Sequence, residues 1–285
     1  MRFTMICLVL SSLVISTNLT AAGEDAGNVA VPTAEFLAQA LVEQEEACGK
    51  SLTVSYTFSQ VGSLFPEQCH YVRTPAKSFL QMEGSRIGTK RCSLDRNSGQ
   101  SRRLSIRKEA SRPVGEIDDR FAGPLGDRVI PDVVRYPLDL SSLLDLVRRS
   151  SVKEARQDID GRLCWLVETP SAYTPNEQYH IWLDPTIGYC PRRVEITRDS
   201  VQPQIIDFLD YEDESKGVWF PMEVRNKFEF LRVTQGKTTK SSAEMVIHVS
   251  EVKINQPVSD EELLVGFPSG THVYDRIKKA DYIQP

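Results

Sequence analysis

A histidine, a tryptophan, an aspartate and a cysteine fall within YHIWLDPTIGYCPRRVEI, residues 179–196. Side chains of these types serve as catalytic acids and bases or as metal ligands, so their spacing decides what they can do. His180, Trp182 and Asp184 alternate, and on a strand they share one face of a sheet. A histidine and a carboxylate on one face could form an acid–base pair or part of a zinc shell. Nothing nearby completes either. The four histidines, His70, His180, His248 and His272, include no i, i+4 pair, and there is no H-E-x-x-H. Neither G-x-S-x-G, S-x-x-K nor a glycine-rich phosphate loop occurs. A sheet-face histidine held by a hydrogen bond is the commoner arrangement. Asp184, Pro185 and Gly188 spell a turn instead: Asp accepts local backbone N–H groups, Pro presets φ, and Gly supplies the left-handed residue. The stretch reads as a hairpin, with no catalytic residue, metal or cofactor expected from the chain.

A second cluster is electrostatic. Residues 86–112 hold nine basic side chains against Asp95 and Glu109, a net charge of +7. Arg102, Arg103 and Arg107 are its candidates for contact with an anionic partner, such as lipid head groups or an acidic protein. Solvated hairpin faces are the plainer reading. Asp207, Asp210, Glu212, Asp213 and Glu214 cluster with no base between them. The whole chain carries −5, which gives no case for nucleic acid.

Arg2 followed by the apolar run to Ile15, then Thr20-Ala21-Ala22, has the form of a signal peptide, residues 1–22. Export to the periplasm or the exterior is expected, with peripheral or no membrane contact, since no later segment is apolar enough to cross a bilayer. Removing those residues leaves 263, with a charge of −6 and five cysteines, Cys48, Cys69, Cys92, Cys164 and Cys190. An odd count leaves at least one thiol without an intrachain partner. Cys164 and Cys190 resemble a pair, but one strand is expected to lie between theirs. Two strand spacings are about 9.6 Å, beyond the roughly 7 Å that a bridge spans between α-carbons. No bridge is predicted there.

These residues need elements to hold them. After a loose leader, residues 23–32, Thr33 caps a helix from Ala34 to Ala47 with Phe36, Leu37, Ala40 and Leu41 as its stripe and Gly49 as its stop. SLTVSYTFSQV, residues 51–61, alternates Leu52, Val54, Tyr56 and Phe58 with hydroxyl-bearing residues, the pattern of a half-buried antiparallel strand. Shorter strands are expected at 69–73, 78–83, 91–94 and 103–107. Residues 111–137, with four prolines, read as a long loop. Ser141 or Asp139 caps a second helix, with Leu140, Leu143, Leu144 and Val147 as its stripe. Strands follow at 163–168, 178–183, 192–197, 205–210, 218–225 and 243–254. Frequent strands with two helices predict an α+β, mostly β domain over 33–285. Its large curved antiparallel sheet would carry the helices on the concave side.

Several short matches resemble the LolA/LolB-like superfamily of lipoprotein-sorting carriers, which includes the sensor domains of RseB-like regulators. TVSYTFSQ follows a helix, and YVRTPAKSFLQMEG is similar to the family's basic-Pro-small-basic strand. YHIWLDPTIGYCPRRVEI looks like its W-[LI]-D-x-x-x-G-x-P-x-[KR] hairpin, and INQPVSDEELLVGFPSGTHVYD like its closing strand and loop. GTKRCSLD, the cysteines and the 111–137 insert depart from the pattern. The resemblance implies an unclosed β-barrel wrapped over helices, with an apolar interior that binds a lipid or a lipidated protein without catalysis. Val54, Tyr56, Phe58, Phe79, Leu143, Leu144 and Trp165 are the lining candidates. An envelope protein partner, met through the basic segment, is the alternative; a hydrolase using His180 is a third.

Overall fold

Alternation of small hydroxyl and large apolar side chains builds β1 (Leu52–Gln60), and every apolar position from Leu52 to Phe58 is buried. The computed structural model describes residues 30–47, 49–62, 65–84, 88–95, 97–107, 110–119, 137–138, 141–172, 174–198, 201–215, 217–234 and 237–285. The expected signal peptide, most of the leader, Cys48, Asp139 and Leu140 lie outside the described residues.

Before β1 stands α1 (Ala34–Ala47); after it come β2 (Glu67–Arg73), β3 (Lys77–Gly84), β4 (Gly88–Asp95), β5 (Ser101–Ile106) and β6 (Val114–Asp118). The two-residue strands β7 (Pro137–Leu138) and β8 (Ser141–Ser142) lead into α2 (Leu143–Arg148). A second run holds β9 (Ser151–Ile159), β10 (Arg162–Pro170), β11 (Glu177–Asp184) and β12 (Cys190–Arg198). It continues through β13 (Val201–Ser215), β14 (Val218–Thr234) and β15 (Lys237–Ile254), and the chain closes with β16 (His272–Asp275) and β17 (Ala280–Ile283).

Among the described residues, 15 of these strands form one sheet in the order β17-β16-β6-β5-β4-β3-β2-β1-β15-β14-β13-β12-β11-β10-β9. Two up-and-down meanders are thus welded where β1 pairs antiparallel with β15, Leu52 opposite Ile254 and Gln60 opposite Met245. Neighbours are antiparallel except β16 on β6. The sheet does not close, so β9 and β17 are its edges. This is the large, mostly β sheet that the strand pattern predicts, unclosed and lying over helices as the family resemblance implies.

One face holds the main core, in which Leu52 to Phe58 of β1, Leu80 of β3, Ile181 of β11 and Phe208 of β13 meet both helices. Thr33 Oγ1 accepts the Phe36 amide and starts α1 as expected. Its buried stripe is Leu37, Ala38 and Leu41; Phe36 is turned out, 52% exposed, and meets Tyr189 edge-on at 5.3 Å. The cap of α2 is Ser142, one residue beyond the expected Ser141, because Ser142 and Asp145 form a reciprocal capping box. Leu143, Leu146 and Val147 are its buried residues, with Leu144 only partly covered. Six residues are too few for a helix to persist alone. Burial of each leucine, worth about 2 kcal/mol, holds it in place. The expected loop 111–137 also differs, since β6 pairs with β5 inside it.

Candidate functional site

The seven lining candidates divide between the two faces. Val54, Tyr56, Phe58 and Leu143 meet in the main core, and Leu144 packs on its margin. Trp165 lies on the same face, opposite Leu183, with the Arg156 guanidinium 5.8 Å from its ring. Phe79 points the other way, because it alternates with the core residues Leu80 and Met82. Val54, Tyr56, Phe58 and Trp165 therefore share one face of the sheet, and Leu143 and Leu144 belong to α2, which lies against that face.

The β13–β14 turn pins the covering helix, and the 179–196 hairpin packs under it. Gln44 of α1 donates to the Gly217 carbonyl at 2.9 Å and accepts the Trp219 amide at 3.2 Å. Gly188 lies directly under Gln44: a Cβ there would fall 2.4 Å from Nε2, and its φ of 66° is left-handed. Asp184 fixes that turn, accepting the Thr186 amide at 2.8 Å, the Thr186 hydroxyl at 2.7 Å and Arg192 Nε at 2.9 Å. Its role is to form the turn, as the sequence predicts. His180 sits across from Glu168, Nε2 to Oε1 3.7 Å, while Glu168 is also paired with Lys153 at 2.6 Å.

Cys164, Asp184 and Cys190 lie on three successive strands, and Cys164 is a free thiol. Burial, with Asp184 adding to it, pushes the Cys164 thiol up to about 12. Among the described residues no group of three His, Cys, Asp or Glu is placed to hold a metal ion.

The three arginine candidates do not form one surface. Arg102 points to the face opposite the core, donates to the Val265 carbonyl at 3.2 Å and stacks its guanidinium 5.1 Å from the Phe267 ring. Arg103, one residue on, faces the other way and pairs with Glu116 at 3.5 Å. Arg107 lies past the end of β5, exposed.

Arg102 is one fastening of a strap, residues 255–271, that crosses the back of β1–β6. Its Leu263 and Val265 are buried, and the Val265 amide donates to Ser93 Oγ at 3.4 Å. Lys77 Nζ holds Asp260 at 2.8 Å. Phe267 fills the space where a Cβ on Gly115 would lie, 2.9 Å away. Between strap and sheet runs a groove of about 490 Å³. Its floor is two rungs of the sheet, Thr53–Val72–Phe79 and His70–Gln81–Arg91. The strap wall carries Pro257, Val258, Glu261, Glu262 and Leu264. Sequence reasoning missed this groove, because strand alternation marks which residues face outward but not that a distant tail covers them.

No family model matches the chain. No curated protein sequence matches it either. Solved structures do. A DUF1329 family protein from Desulfovibrio piger superposes with a TM-score of 0.53 at 12% identity, over 81% of this chain and 97% of that one. A putative outer membrane lipoprotein-sorting protein domain from Vibrio parahaemolyticus gives 0.42 at 11%, over the same shares, 81% and 97%. MucB gives 0.33 at 10%, over 82% of this chain and 62% of its own. Lipoprotein-sorting domains, the class that the hairpin and strand motifs resemble, thus stand among the structural neighbours. At these identities the likeness to the Desulfovibrio protein establishes the fold alone.

Proposed function

We propose that the protein is a non-catalytic binder of a lipid, or of the acyl chain of a lipidated protein, working in the cell envelope after export. One observation carries the reading: the apolar face of an unclosed sheet is covered by two short helices rather than by a second sheet. Helices held chiefly by burial can give up that burial to an acyl chain, which contributes about 0.8 kcal/mol per CH₂. Val54, Tyr56, Phe58, Leu143, Leu144 and Trp165 would line the space vacated. The signal-peptide form of residues 1–22 agrees with an envelope site. The test is titration with a fluorescent fatty-acid probe. Saturable binding that Tyr56→Asp weakens is expected; a probe that never saturates sinks the reading.

A second reading, an interaction module for an envelope protein, has one observation in its favour. All four residues of β17 are exposed, Tyr282 and Ile283 among them, and among the described residues no strand pairs with its outer edge. A partner strand could add there. Ile283→Pro would then abolish capture of that partner, and unchanged capture would count against it.

A further inference from the structure

The groove beneath the strap has its own chemistry, separate from the helix-covered face. Apolar contact comes from Val72, Phe79, Pro257 and Leu264. Charges are sorted by wall. Arg91 and Lys253 belong to the sheet floor, Glu261 and Glu262 to the strap. Lys253 is neutralised by Glu251 at 2.9 Å, and Glu262 is engaged at its own turn, accepting the Ser259 amide at 3.1 Å. Arg91 and Glu261 are exposed and form no ion pair among the described residues. Burial and the nearby Lys253 lower the His70 pKa, which disfavours a further cation on the floor at pH 7. Thr53, Gln81 and Gln256 add uncharged hydrogen-bonding groups along the same walls.

An uncommitted guanidinium on one wall and an uncommitted carboxylate on the other match a ligand with an acid at one end and an ammonium at the other. The apolar patch between them asks for an apolar body, and the amide side chains for a ligand with its own amides. The geometry points to a short apolar peptide with free ends, its C-terminal carboxylate on Arg91, its N-terminal ammonium on Glu261 and its side chains against Val72, Phe79 and Leu264. The groove's volume, about 490 Å³, lies within the ordinary range for a small-ligand site.

Trileucine with free termini, titrated into the purified protein by calorimetry, is the probe, beside its C-terminal amide and its N-acetyl form. Saturable binding of the free peptide is expected, weakened about tenfold or more by R91E, as loss of a charge-assisted contact predicts. The amide should bind more weakly from the outset and be indifferent to R91E. E261K should act in the same way on the ammonium end, weakening the free peptide and sparing the N-acetyl form. Both positions are exposed, so unchanged melting of the variants certifies their folds. Lysophosphatidylethanolamine carries the same two charges on a lipid. Tighter, Arg91-dependent binding of that lipid would overturn the peptide assignment. So would equal affinity for free and capped peptides, or no saturation below about 1 mM.

Discussion

Asp184 is 1% exposed and meets the Thr186 amide, the Thr186 hydroxyl and the Arg192 guanidinium. Asp184→Ala would strand Arg192 and unmake the turn, so a loss of about 3–5 kcal/mol is expected in urea unfolding. Cys164 supplies a pH signature. Its thiol ionises near 9.0 when unfolded and near 12 in the fold. Above pH 9 the unfolded chain therefore holds fewer protons than the native one, and stability falls as pH rises from 9 towards 12. Cys164→Ala should flatten that part of the stability curve. The turn role of Asp184 was legible in the sequence because Asp-Pro and a following Gly act locally. Neighbouring positions on a strand face opposite ways, so Arg102 and Arg103, expected together at an anionic partner, diverge. What Arg102 holds was not legible, since Val265 and Phe267 come to it from more than a hundred and sixty residues away.

Between elements, the decisive contact is Gln44, which ties α1 to the β13–β14 turn and lies over Gly188 of the β11–β12 turn. If α1 must lift for a ligand to reach the apolar face, Gln44→Ala should speed uptake of a fluorescent fatty-acid probe in stopped flow. Only about 1 kcal/mol of stability should be lost. Equal uptake rates would place the opening elsewhere. The distal parts of β14 and β15 behave differently from the rest of the sheet. From Phe228 opposite Ala243 to Thr234 opposite Lys237 they pair, among the described residues, only with each other, because β13 reaches only Lys227 and β1 only Met245. A two-stranded ribbon is marginal by itself, so amides there should exchange fastest among the β14–β15 pairs. Hydrophobic alternation exposed β1 and the hairpin strands, where one face is buried. It missed β9, whose Lys153, Glu154, Arg156 and Asp158 are suited to an edge rather than to a core. It also shortened β13 and β15, whose polar ends lack an apolar face to read, and β14, although Phe228 and Phe230 alternate with charged residues beyond its expected end.

At the scale of the molecule, one sheet presents two faces of different chemistry. The apolar face is closed by α1 and α2, whose leucines share its core, and the opposite face carries a strap and a mixed-charge groove. The fold class was legible because frequent strands with few helices leave few architectures. The welding of β1 to β15 and the strap were not, since contacts at long sequence separation leave no local period. The central claim is that the helix-covered face exchanges its own burial for that of an acyl chain. Mass spectrometry of lipid extracted from the protein after gentle purification from envelope fractions tests this most directly. The account predicts an acyl-bearing species near one per protein, lost when Tyr56→Asp places a charge on that face. Protein that carries no lipid and takes up none from added vesicles would contradict it.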